Sequence, residues 1–148
     1  KEENMNYRAN TLMKVWSARF PTLESTVGYV FNGKNLANKV YGTRMGNIAG
    51  TNDGWNFRGG GFIGLTGREV YTKYAKYINE NVEVAANLVR TTDKYALDSA
   101  YWFFCVLKDL EKKALDNDFI GIVKSINGGT IGLEVRQAYY IKVKKYVI

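Results

Sequence analysis

Apolar residues along the chain recur mostly every three or four positions, the period of an amphipathic helix rather than of a strand. Between Tyr7 and Phe20, Leu12, Met13, Val15, Trp16 and Phe20 follow this spacing and predict a helix that ends at Pro21. A second helix is expected from Thr22 or Leu23 to Phe31, and a short third one from Asn35 to Tyr41. Glycines then crowd the stretch from Gly42 to Gly67, predicting repeated turns, with Phe62–Leu65 as a short extended piece. Thr66-Gly-Arg-Glu69 has the form of a capping box, in which Thr66 and Glu69 satisfy each other's backbone donors at the start of a helix running to Tyr77. Asp93 to Lys113 reads as a long helix that breaks near Leu97, with Asp98 as N-cap of the nearly all-apolar, central and buried stretch Ala100–Leu107. Asp118–Ile126 predicts a helix stopped by Gly128 and Gly129, and helical spacing resumes from Gly132 through Val135, Tyr139, Ile141 and Val143. No internal repeat accompanies these elements. The fold class expected is mainly α.

At 148 residues and 46% hydrophobic content, residues 1–148 are expected to form one domain with its own core. The single cysteine, Cys105, lies in an apolar run and is expected as a buried thiol. No apolar run reaches the length of a bilayer and the first residues hold no secretory hydrophobic region, so a soluble protein without stable membrane insertion is expected. The net charge of +7 favours polyanionic partners, including bacterial envelope polymers. Lys142, Lys144 and Lys145 alternate with Ile141, Val143 and Tyr146, the wet face of a terminal element, so no nucleic-acid partner is expected. With no histidine and one cysteine, a His-based triad and a His- or thiolate-held metal are excluded, and no cofactor is expected. Chemistry falls to carboxylates, hydroxyls and amides.

The most specific stretch is Ala37-Asn-Lys-Val-Tyr-Gly-Thr-Arg-Met-Gly-Asn47 followed by Asp53-Gly-Trp-Asn-Phe-Arg-Gly-Gly-Gly-Phe-Ile-Gly-Leu-Thr-Gly-Arg68. It resembles the signature of glycoside hydrolase family 19, the chitinases and phage endolysins. Ser99-Ala-Tyr-Trp-Phe103, Ile126-Asn-Gly-Gly129 and Gly132-Leu-Glu-Val-Arg136 follow in the family's order, and Glu3-Asn-Met-Asn-Tyr7 is similar to the endolysin block Glu-Asn-x-Asn-Tyr. The resemblance covers essentially the whole chain. It implies a lysozyme-like, two-lobed helical domain with a glycine-rich loop lining a glycan cleft, and cleavage of β-1,4 links between N-acetylated sugars with inversion.

Inversion needs a protonated carboxyl and a carboxylate roughly 6.5 to 9.5 Å apart. In the family the acid is the Glu of a His-Glu motif shortly before Glu-Asn-x-Asn-Tyr. No residue of this sequence matches it, so the N-terminal part of the family domain is expected to be missing, with another segment or chain supplying the acid. By the same resemblance Glu3 is the catalytic base and Thr66 helps hold the attacking water. Glu2, beside Glu3, is read as a solvated side chain. Tyr41, Arg44, Asn47, Trp55, Asn127 and Arg136 are the substrate-binding candidates: an amide to recognise an N-acetyl group, a guanidinium to orient a carboxylate, an indole to stack on a sugar. Each also has a plain structural reading, as loop scaffold, core anchor, helix-end turn or surface ion pair. Three positions depart from the family pattern, Gly60, Gly64 and Val70, each where a polar side chain is usual. The function implied is a peptidoglycan-degrading glycosidase of endolysin or tail-associated type. It would be made in a bacterial cytoplasm and act on the cell wall, or be carried on a virion. The alternative is an inactive relative that binds glycan or builds a larger assembly.

Overall fold

The computed structural model describes residues 1–147, and among them the β-pairing is confined to two isolated antiparallel bridges, Glu2 with Gly60 and Gly60 with Leu65. The rest of the regular structure is helical, so the fold is mainly α as expected. The chain forms two compact units, Lys1–Ala100 and the residues from Tyr101 onward. Among the described residues no helix is long and apolar enough to cross a membrane.

The first unit holds α1 (Ala9–Val15), α2 (Gly33–Tyr41), α3 (Asp53–Asn56), α4 (Arg68–Ile78), α5 (Val82–Thr91) and most of α6 (Asp93–Tyr101). Met5, Leu12, Phe20, Leu36, Ala37 and Val40 form a core cluster beneath the first two helices. Helix α2 starts where the Asn32 side chain accepts from the Asn35 N–H, and packs on α3. Helix α4 buries Tyr71, Tyr74 and Ala75 at three- and four-residue spacing, while α5 buries Ala85, Ala86 and Val89, and these two faces pack together. At about 25 cal/mol per Å² of apolar surface removed from water, such paired faces supply most of the helices' stability.

Several boundaries differ from the periodic pattern, each for a local reason. The first helix stops at Val15, because Trp16 leaves helical dihedrals, although Phe20 still enters the core. The helix expected over Thr22–Phe31 is only a 3₁₀ turn, Glu24–Thr26. Thr22 and Ser25 side chains bond reciprocally to each other's backbone N–H, at 3.2 and 3.3 Å, and so compete with helical bonding. Phe62–Leu65 is not an extended piece but the tip of a tight turn, closed by Gly60 N–H to Leu65 O at 3.0 Å and Leu65 N–H to Gly60 O at 2.8 Å. Helix α5 adds to the expected elements, and its signal is local: Asn81 accepts from the Glu83 N–H ahead of Ala85, Ala86 and Val89. The capping box does not form either: Thr66 bonds to the Gly64 carbonyl, Gly67 is the N-cap, and Glu69 pairs with Lys73.

Asp98 is not an N-cap. It lies inside α6, and its carboxylate accepts from the Tyr74 hydroxyl at 2.6 Å, a tertiary bond that no local pattern encodes. Helix α6 runs unbroken past Leu97 and passes into a π-helical turn, Trp102–Leu107. The stretch is not uniformly buried: Trp102 is, whereas Tyr101 and Val106 are exposed and Cys105 is half-buried.

In the second unit, α7 (Glu111–Leu115) precedes α8 (Phe119–Asn127) and α9 (Leu133–Lys144). Asp118 caps α8 by accepting from the Gly121 N–H at 2.8 Å, and Gly128 ends it with φ +70°. Phe119 and Tyr140 stack with ring centroids 4.6 Å apart, joining α8 to α9. Lys142, Lys144 and Lys145 are exposed, as expected of a solvated terminal face.

Candidate functional site

The first unit contains a cavity of about 570 Å³ at the point where the N-terminal segment crosses the glycine run 59–61. A short ladder makes that crossing: Glu3 N–H donates to Gly59 O and Gly61 N–H to Lys1 O, both at 2.9 Å. This backbone pairing presents the Glu3 side chain to the cavity. Its Oε1 accepts from the Tyr41 hydroxyl at 2.8 Å and its Oε2 from the Gly59 N–H at 3.1 Å. A carboxylate oxygen has two lone-pair sites, so each oxygen keeps one for a further partner. Burial, reinforced by the bond to Glu3, pushes the Tyr41 hydroxyl well above the usual phenol range, so it remains a donor.

Thr66 lines the same cavity. A methyl group on Gly59 would lie 3.0 Å from Glu3 Oε2 and 3.5 Å from Thr66 Oγ1, so both side chains converge over a position that only a hydrogen fills. The Thr66 hydroxyl donates to Gly64 O at 2.9 Å, which leaves its oxygen free to accept. Glu3, Tyr41 and Thr66 thus come together although 63 positions separate the first from the last in sequence.

The other candidates are placed elsewhere. Asn47 is buried scaffold: its amide donates to Tyr41 O at 2.9 Å and accepts from the Arg68 N–H at 2.8 Å, tying the end of α2 to the start of α4. Arg44 is exposed on the turn after α2. Trp55 is half-buried against the first core cluster, and the Arg58 guanidinium lies 3.5 Å above the ring centroid. A second, smaller cavity of about 250 Å³ runs from Glu3 toward Asn6 and Trp55. Asn127 and Arg136 belong to the second unit, where Arg136 donates to Asn127 Oδ1 at 3.4 Å and to Ile131 O at 2.8 Å.

Glu2 is not merely solvated. Its carboxylate forms a short ion pair with Arg58, whose side chain is 8% exposed. A second ion pair, between Asp53 and Arg68, braces the loop from below. Arg68 meets the buried Asp53 carboxylate with two nitrogens, at 2.6 and 2.8 Å, and the Ile48 N–H donates to it at 2.8 Å. Sequence reasoning included Asp53, Arg58 and Arg68 within a motif but assigned none of them a role, because ion pairing across 15 or 56 positions leaves no periodic trace.

No family model matches the chain. It is similar to a glycosyl hydrolase family 19 domain-containing protein of Haemophilus influenzae. The two are 28% identical over 143 residues, covering 94% of this chain and 67% of that protein. This is a distant relationship, and it points to a glycosidase family.

Gly60, where a polar side chain is usual in the family pattern, has no room for one. A Cβ there would lie 2.4 Å from the Tyr71 hydroxyl and 2.8 Å from Arg90 Cγ, so a side chain would enter the interior rather than the cavity. The glycine therefore strips no group from the cavity wall. Tyr71 is fully buried against Phe57, and burial pushes its hydroxyl up to about 12. Gly60→Ala is expected to cost about 1–3 kcal/mol of unfolding free energy, as overpacked cores do. Urea denaturation of the two proteins measures it, and equal stabilities would show that the ring and Arg90 yield freely.

Proposed function

We propose that this chain is the glycan-cleaving part of a peptidoglycan hydrolase, acting by inversion at the anomeric carbon with Glu3 as base. The observation that carries the reading is the Glu3 carboxylate, oriented by Tyr41 and the Gly59 N–H with a lone pair left on each oxygen. A water donating to Glu3 and to the Thr66 oxygen would have its own lone pair directed outward, as attack on an anomeric carbon requires. As the new C–O bond forms, Glu3 takes the water's proton and the glycosidic C–O bond breaks, its oxygen protonated by a carboxyl that another segment or chain supplies. Tyr41 is then a positioning residue; within the second unit, Arg136 and Asn127 bond to each other and are a separate candidate pair for an N-acetyl group. The distant family 19 relative supports a glycan substrate. The charge of +7 favours the anionic polymers of a bacterial wall, the proposed place of action whether the protein is released in the host or carried on a virion.

One observation favours a second reading, glycan binding without hydrolysis. The other carboxylate at the cavity, Glu2, is held by Arg58, and no second acid stands ready among the described residues lining it. Incubating the full-length protein, together with the segment or chain that supplies the acid, with permeabilised Gram-negative peptidoglycan, and following new reducing ends by NMR, separates the readings. Release with the α-anomer appearing first supports inverting hydrolysis. Binding of the glycan strands by a folded protein with no release supports the second reading, and neither binding nor release refutes both.

A further inference from the structure

Of the aromatic side chains beside Glu3, Tyr41 is bonded to it, and Trp55, to which the sequence motif draws attention, has one face occupied by the Arg58 guanidinium. Phe62 is different. It lines the main cavity together with Glu3, Tyr41 and Thr66, and it is 56% exposed. An exposed phenyl ring usually sits on a mobile loop, where ordering it on binding would offset the gain from stacking. Here the loop is held at both ends. The Gly60–Leu65 bonds close the turn, the Phe62 N–H donates to Ala96 O at 3.4 Å, and Gly61 sits at φ +72° against Ser99 and Val89.

Resting on the glycan reading of this cavity, we propose that Phe62 is the stacking platform for one N-acetylhexosamine unit and a determinant of glycan affinity. A pyranose ring is amphiphilic, with axial C–H groups on its faces and hydroxyls around its rim. The cavity has the matching arrangement, an apolar face at Phe62 and Ile63 beside the carboxylate and hydroxyls of Glu3, Tyr41 and Thr66. Stacking buries the exposed face of a ring whose backbone is already fixed, so little conformational entropy is sacrificed.

The test is titration of the full chain with two probes, a β-1,4 tetramer of N-acetylglucosamine and soluble, peptide-free glycan strands from peptidoglycan. Phe62→Ala is expected to weaken binding about tenfold, the scale on which a stacked aromatic ring and the area it buries contribute. Phe62→Trp is expected to restore or tighten it, and both variants should melt with the parent, since the ring is largely outside the core. Parent-like affinity in Phe62→Ala would overturn the platform while leaving the glycan reading standing. A parent that binds neither probe would overturn both. Weakened binding that tracks a lowered melting temperature and is not recovered by Phe62→Trp would assign Phe62 a structural role instead.

Discussion

Glu3→Gln is expected to slow glycan cleavage by about 10²–10⁴-fold, the range over which a positioned general base contributes, while leaving folding and glycan binding intact. The substitution is chosen because the site can accommodate it. The amide oxygen can accept from the Gly59 N–H in place of Oε2, and the amide nitrogen can donate to the Tyr41 oxygen, since a phenolic hydroxyl accepts as well as donates. What disappears is the capacity to take a proton from water. Initial rates of reducing-end release, with melting temperature and oligosaccharide affinity measured on the same preparation, give the answer. Unchanged cleavage in a folded Glu3→Gln protein would remove Glu3 from the chemistry and leave the cavity as a binding site alone.

Asp53→Ala is expected to destabilise the protein by about 3–5 kcal/mol, because it leaves Arg68 with only the half-exposed Glu83 as partner, beside a carboxylate-shaped void, and leaves the Ile48 N–H without its acceptor. Asp53 is 3% exposed and Arg68 25%, so solvent screens the pair little. The double replacement Asp53→Ala/Arg68→Met should recover part of the stability, since the one charge then left without its partner, Glu83, is half exposed to water. The pair also makes stability depend on acid. The Arg68 hydrogen bonds, opposed by burial and aided by the Ile48 N–H, hold the Asp53 carboxyl below the usual carboxylate range. Its contribution is therefore fully present above the unfolded-chain value of about 3.9 and is lost as pH falls through the lower folded value. In Asp53→Asn that part of the acid dependence should vanish. Denaturant titrations between neutral pH and pH about 2 read it out, and identical pH profiles for parent and variant would show that other carboxylates carry the effect. Because this pair braces the loop bearing Gly59 and Thr66, loss of cleavage in Asp53→Ala would follow loss of structure rather than of chemistry.

Helices that bury one face against a neighbour are legible in sequence, because burial imposes a period on the chain that can be read without knowing the neighbour. Leu36, Ala37 and Val40 in α2, and Tyr71, Tyr74 and Ala75 in α4, are of this kind. The same rule finds α5 only when the Asn81 cap is weighed together with Ala85, Ala86 and Val89. Local hydrogen bonding is harder to read, because Ser, Thr and Asp serve caps, turns and tertiary bonds with the same atoms. Thr22 and Ser25 turn an expected helix into a 3₁₀ turn, Thr66 bonds backward to Gly64, and Asp98 answers Tyr74 rather than its own helix.

By itself, the sequence determined the helical class, the stop of α8 at Gly128, the exclusion of histidine chemistry, and ordered motifs that drew Glu3 and Thr66 forward as candidates. Only the tertiary structure decided that Glu3 meets Thr66 over Gly59 and Tyr41 beside it, that Glu2 belongs to Arg58, and that Phe62 is largely exposed at the cavity while Arg58 lies close over Trp55. The physical reason is range. Periodicity and caps are set by neighbours within one helical turn, whereas the cavity is made by backbone pairing across more than 50 residues, between Glu3 and Gly59, and no pattern along the chain records which distant groups that pairing brings together.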